Sequence, residues 1–108
     1  MKWEICILND KVKSELESLD KAFKAKLLHI IALIERFGPS NVQEPYCKPI
    51  GNKLWEIRMK AQPGIARAIY VTAKGKKIII LHAFVKKTQK TPKKAIDIAL
   101  KRLKETTL

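Results

Sequence analysis

Four basic residues, Arg58, Arg67, His82 and Lys86, stand in or at the end of segments rich in alternating apolar and polar side chains. Alternation marks β-strands and sorts their side chains onto two faces. In the strand expected over Leu54–Lys60, Leu54, Glu56, Arg58 and Lys60 share one face, and Trp55, Ile57 and Met59 share the other. Gln62-Pro63-Gly64 reads as a turn, with proline supplying a fixed φ and glycine tolerating a positive one. A two- or four-residue closure there pairs even-numbered residues with odd-numbered ones. Arg58 and Lys60 therefore share a face with Ile65, Arg67, Ile69 and Val71 of the next strand, Ile65–Thr72. A two-residue turn at Lys74-Gly75 would set Val71 opposite Ile78 and Arg67 opposite His82. The expected product is a row, Arg58, Arg67 and His82, across three strands, with Lys86 following at the strand end.

Like charges directly opposed on a sheet are destabilising, so such a row needs a reason. One reason is a phosphate or a dense polyanion held in the middle, for which the forked arginine guanidinium is suited. The other reading has Glu56 pairing one arginine while the rest are solvated on an open sheet face. His82 is the one member of the row whose ordinary pKa lies near neutral, fit for proton transfer, and it serves equally well as a packing residue. The segment from Lys86 to Lys94 adds Lys87, Lys90, Lys93 and Lys94. It runs into an expected helix N-terminus, where backbone N–H groups and the helix dipole favour anions. A solvated basic loop is the plainer reading of that run.

The global charge agrees with a polyanionic partner. The chain has 108 residues and a formal charge of +13, with 23 Lys and Arg against 10 Asp and Glu. Residues 1–50 carry 8 basic and 7 acidic side chains, and residues 51–108 carry 15 and 3. At 46% hydrophobic, it is too apolar for a disordered basic tail and is expected to form a single domain over residues 1–108. A large cofactor-binding α/β enzyme is excluded by length. Cys6 and Cys47 lie far apart with no metal-ligand spacing, which reads as two reduced thiols in a cytoplasmic protein and no metal. The apolar run near the N-terminus is too short for a signal peptide or a membrane span, so no membrane association is expected.

The elements that must position the row can be read from the periodicity. Lys2–Leu8 alternates as a first strand. Val12, Leu16, Leu19, Phe23, Leu27, Ile30, Ile34 and Phe37 recur at helical spacing. Asn9-Asp10 and Asp20 are good caps, giving helices over about residues 11–19 and 21–37, with a single bent helix as the alternative. Residues 38–53 read as a loop, Lys77–Val85 as a central apolar strand, and Thr91-Pro92 as the N-cap and first residue of a last helix. The order is β-α-α-β-β-β-α. The fold class is α+β, a mainly antiparallel sheet with helices on one face. That face is expected to carry Trp55, Ile57, Met59, Ala66, Ala68, Tyr70, Ile79, Leu81, Ala83 and Val85.

Three stretches resemble a known family: Pro49-Ile50-Gly51-Asn52-Lys53-Leu54-Trp55-Glu56-Ile57-Arg58, then Arg67 and Tyr70, then Leu81-His82-Ala83-Phe84-Val85-Lys86-Lys87-Thr88-Gln89-Lys90-Thr91-Pro92. With the element order, they look like the phage-derived HigB-type branch of the RelE/ParE toxin superfamily. The resemblance implies the toxin of a type II toxin–antitoxin pair, a ribosome-dependent endoribonuclease that cuts mRNA without metal or cofactor. The reaction it implies is attack of a ribose 2′-OH on the adjacent phosphate. That step needs a base, an acid and positive charge around the phosphate. Arg58 and Arg67 match the family's strand arginines, and Lys86 and Lys87 its basic residues ending the last strand. The catalytic set expected is Arg58, Arg67, His82 and Lys86, with Lys60, Lys87, Lys90, Lys93 and Lys94 binding RNA. The implied partners are the ribosome, mRNA and a cognate helix-turn-helix antitoxin. The competing readings are a ParE-like toxin acting on DNA gyrase, and a basic phage-derived binding protein without catalysis. Nothing after Thr88 matches the tyrosine or histidine that some members carry near the C-terminus.

Overall fold

The structure, a computed structural model, describes residues 2–62, 64–86 and 91–105, the Lys86 side chain excepted. Five strands, β1 (Glu4–Ile7), β2 (Cys47–Gly51), β3 (Leu54–Ala61), β4 (Gly64–Ala73) and β5 (Lys77–Lys86), form one sheet in the order β1-β5-β4-β3-β2. Only the β1–β5 pairing is parallel, so the mainly antiparallel α+β sheet expected from the sequence is present. Helices α1 (Asp10–Glu17) and α2 (Lys21–Phe37) connect β1 to β2, and α3 (Lys93–Lys104) follows β5.

Two helices form in the first half rather than one bent rod. The Asn9 side chain accepts the Val12 N–H at 3.1 Å and caps α1. Gly38, at φ +85°, ends α2; the Trp3 indole lies 3.2 Å from where a β-carbon there would sit. Phe23, Leu27, Ile30 and Ile34 of α2 are buried, each contributing roughly 1.5–3 kcal/mol. With Val12 and Leu16 of α1, they pack on Ile57, Met59, Ala66, Ala68, Tyr70, Ile78 and Ile80. No helix among the described residues is long and apolar enough to cross a membrane.

Three features depart from the sequence expectation. Cys47–Gly51 is an edge strand rather than loop; Pro49 and the irregularity before Gly51 hid it, and both are compatible with a strand paired on one side only. The helices cover both faces, for Ala95 and Ala99 of α3 pack against Leu54, Ile69, Val71 and Leu81 on the face opposite α1 and α2. The third departure is the register of β5. Its connection to β4 is Lys74-Gly75-Lys76, with Gly75 at φ +80° and Lys76 at +57°, so Val71 faces Ile79 rather than Ile78. Ile79 and Leu81 therefore pack on the α3 side, where the two-residue turn would have put Ile78 and Ile80. A bulge then inserts Leu81 between the Tyr70–Ile80 and Ile69–His82 pairs and restores the expected alternation for His82 onward.

Candidate functional site

The sheet face beneath α3 is a grid of three strands. Glu56, Ile69 and His82 form one row, Arg58, Arg67 and Phe84 the next, and Lys60, Ile65 and Lys86 the third. Arg58 and Arg67 are thus directly opposed, as the alternation requires. His82 is not in their row; the longer turn and the bulge set it opposite Ile69 and leave Phe84 across from Arg67. The expected row of Arg58, Arg67 and His82 therefore resolves into two separate polar clusters, with Lys86 in register beside Ile65.

The first cluster centres on Glu56, which is fully buried. Its Oε1 accepts from Arg67 Nη1 at 2.5 Å and lies 3.9 Å from Arg58 Nε, while its Oε2 accepts the Thr91 hydroxyl. Arg67 is buried as completely as Glu56. Arg58 keeps 23% of its side chain exposed. It lines a cavity of about 80 Å³ with Lys60, Pro45 and Ile65. The bond from the Arg58 N–H to the Tyr46 carbonyl, 2.8 Å, ties the loop bearing Pro45 to this strand. Arg67, expected to grip a phosphate, instead faces an internal carboxylate. Of the basic side chains on this part of the face, Arg58 is partly exposed and Lys60 exposed.

The second cluster centres on Glu15 of α1. Arg102 makes a two-pronged contact with it, each N–O distance 2.9 Å, and donates to the Leu81 carbonyl at 2.8 Å. His82 Nδ1 lies 2.9 Å from the same carboxylate, and the Ala83 N–H donates to it at 3.1 Å. Burial works to raise the Glu15 carboxyl, but the Arg102, His82 and Ala83 bonds outweigh it and hold the group below its ordinary value. His82 is 8% exposed and its ring stacks on Phe84, the centroids 5.0 Å apart. This is an internal clasp joining α1, β5 and α3, and His82 is part of it.

The remaining expected residues are dispersed. Lys93 and Lys94 are exposed on the first turn of α3, Lys94 beside a groove with His82, Phe84, Pro92 and Ile98. Lys87 and Lys90 lie outside the described residues, as does the Lys86 side chain. Thr91 does not cap α3: the N-cap is Pro92, and the Thr91 hydroxyl is turned to Glu56 instead. Tyr70 packs on the face covered by α1 and α2, and burial, with the Cys47 thiol beside it, pushes its phenol up. Burial likewise raises the Cys47 thiol to about 12, which leaves it inert at neutral pH. Sequence reasoning missed Glu15, Arg102 and Thr91, whose polar side chains are indistinguishable by pattern from solvated ones.

Set beside known proteins, residues 14–104 match the family described as Phage derived protein Gp49-like (DUF891). No curated protein matches the chain. Among solved structures, it is similar to a double arginine-to-alanine mutant of the Escherichia coli toxin RelE in the free state. The TM-score is 0.66 at 11% identity, over 95% of this chain and 99% of that one. It is also similar to a chain of the archaeal RelE–RelB complex from Pyrococcus horikoshii, with a TM-score of 0.56 at 26% identity, over 79% of this chain and 96% of that one. The family match takes in part of α1, all of α2, strands β2 to β5, α3 and both polar clusters: the chain belongs to the phage-derived Gp49-like family and has the fold of the RelE toxins.

Proposed function

We propose that the chain is the toxin of a type II toxin–antitoxin pair and cuts mRNA bound to the ribosome. The observation that carries this reading is Arg58 at the mouth of a small cavity with Lys60, backed by the buried Glu56–Arg67 pair. A partly exposed arginine and an exposed lysine in one concavity suit the non-bridging oxygens of a phosphodiester. In the proposed step the 2′-oxygen bonds to phosphorus and the bond from phosphorus to the 5′-oxygen breaks. The proton of the 2′-hydroxyl passes to solvent water, and a proton is delivered to the departing 5′-oxygen. Arg58 and Lys60 hold the phosphate as its negative charge grows. Lys86, in register beside Ile65 at the strand end, supplies further charge or the proton for the leaving oxygen. Arg67 acts from beneath, through Glu56. His82 contributes through the α3 clasp rather than by proton transfer. Lys93 and Lys94, with Lys87 and Lys90, follow the RNA backbone.

The Pyrococcus RelE was solved as a complex with RelB, which supports a protein partner for this chain too. We assign that role to the expected helix-turn-helix antitoxin. The test is induction in growing cells, followed by mapping of mRNA ends with and without ribosomes in a purified system. Growth arrest with cuts only on the ribosome supports the proposal. Arrest with intact mRNA and poisoned gyrase would instead assign the chain to the ParE-like class, and no arrest would leave a basic binding protein.

A further inference from the structure

Two arginines placed directly across a sheet raise the energy of the fold unless something is gained. Here a single carboxylate lies between them: Glu56 contacts Arg67 and sits 3.9 Å from Arg58 Nε. Stability alone is a weak reason to keep such a group. Replacing a buried ion pair by apolar side chains of similar volume is often neutral or stabilising. What the cluster provides that an apolar core would not is a buried carboxylate 3.9 Å from Arg58 Nε. An arginine has a long side chain with considerable rotamer freedom. Glu56 draws on it from the Nε side, and Arg67 and Thr91 hold the carboxylate from two other directions. The three partners come from β3, β4 and the segment entering α3, so the carboxylate cannot follow Arg58 outward.

We propose that Glu56 is a positioning residue that aims the Arg58 guanidinium into the cavity formed with Lys60, Pro45 and Ile65. This rests on the reading of that cavity as the phosphate site. Glu56 does not touch the substrate. Its effect passes through Arg58 and vanishes when Arg58 is absent.

The test is a double-mutant cycle on purified protein, with wild type, Glu56→Gln, Arg58→Ala and the double variant. Each is measured for single-turnover cleavage of ribosome-bound mRNA and for affinity to a 2′-deoxy-blocked, uncleavable RNA of the same sequence. Glu56→Gln is expected to slow cleavage roughly tenfold to a hundredfold in the wild-type background, the cost of a misplaced group, and to change little on top of Arg58→Ala. A parallel cycle with Lys60→Ala should be additive. An additive Glu56–Arg58 cycle, with the same loss from Glu56→Gln whether or not Arg58 is present, would overturn the proposal in favour of a purely structural carboxylate. Should Glu56→Gln fail to fold, Glu56→Asp takes its place; it withdraws the carboxylate by one methylene, and the same Arg58-dependence is required. If the wild type binds RNA but never cuts it, the nuclease reading fails. The positioning role is then judged on affinity, where loss of the Arg58-dependence overturns it.

Discussion

The Glu56 and Glu15 clusters are built alike and end differently. Each has one carboxylate shared among arginine, a further polar side chain and a neighbouring element. The Glu15 cluster joins α1, β5 and α3, with 14% of the Arg102 side chain and 25% of the Glu15 side chain exposed. In the Glu56 cluster the carboxylate and Arg67 are fully buried, but Arg58 reaches a cavity. The Glu56 carboxylate is the more deeply buried of the two, and its cluster holds both arginines of the proposed site.

The comparison can be broken at four points. The largest effect is expected for Arg67→Ala, which strands the fully buried Glu56 carboxylate. Urea denaturation should show a loss of about 3–5 kcal/mol, and a change below about 1 kcal/mol would mean that the pair is not the brace described. Arg58→Ala should leave the urea midpoint nearly unchanged yet cut ribosome-dependent cleavage roughly 100- to 1,000-fold, as loss of one charge-stabilising group does elsewhere. A variant that loses stability and keeps its rate would reverse the assignment of the two arginines.

Glu15→Gln should cost about 1–3 kcal/mol at neutral pH, with cleavage by the folded fraction retained. The Glu15 carboxyl is held below its ordinary value in the folded state. Its contribution is therefore present above the ordinary carboxylate range and is lost as pH falls through the lowered folded value. Melting of wild type and Glu15→Gln should converge on acidification, and a gap that widens there contradicts the clasp. The smallest effect belongs to Lys93→Gln with Lys94→Gln. RNA affinity should weaken modestly, with the logarithmic salt slope shallower by roughly 1–2 and cleavage of saturating substrate little changed.

The Glu56 side of this contrast was partly legible from the sequence, and the Glu15 side was not. Period-two patterning located β3, β4 and β5, and alternation placed Glu56, Arg58 and Arg67 on one face, including the possibility that Glu56 pairs an arginine. The position of His82 was not legible. It depends on one extra loop residue at Lys76 and one at Leu81, both set by backbone conformation rather than by side-chain pattern. The face chosen by α3 was also hidden. Its apolar stripe of Ile96, Ala99, Leu100 and Leu103 would suit either side of a sheet that is apolar at both, and the choice is fixed by Thr91 and Arg102 meeting carboxylates far away in sequence. Long-range polar pairing leaves no periodic trace.

The early end of β1 has a consequence for how copies of this chain behave together. β1 pairs with β5 only as far as Ile80, and β5 runs on to Lys86. An uncovered strand border is a template for sheet growth between molecules. Here the first backbone groups past β1, the Leu81 carbonyl and the Ala83 N–H, are already taken by Arg102 and Glu15. The clasp that secures α3 therefore also shields the border against self-association, so its loss would show in concentrated solution as oligomers or precipitate before it showed as a lower melting point.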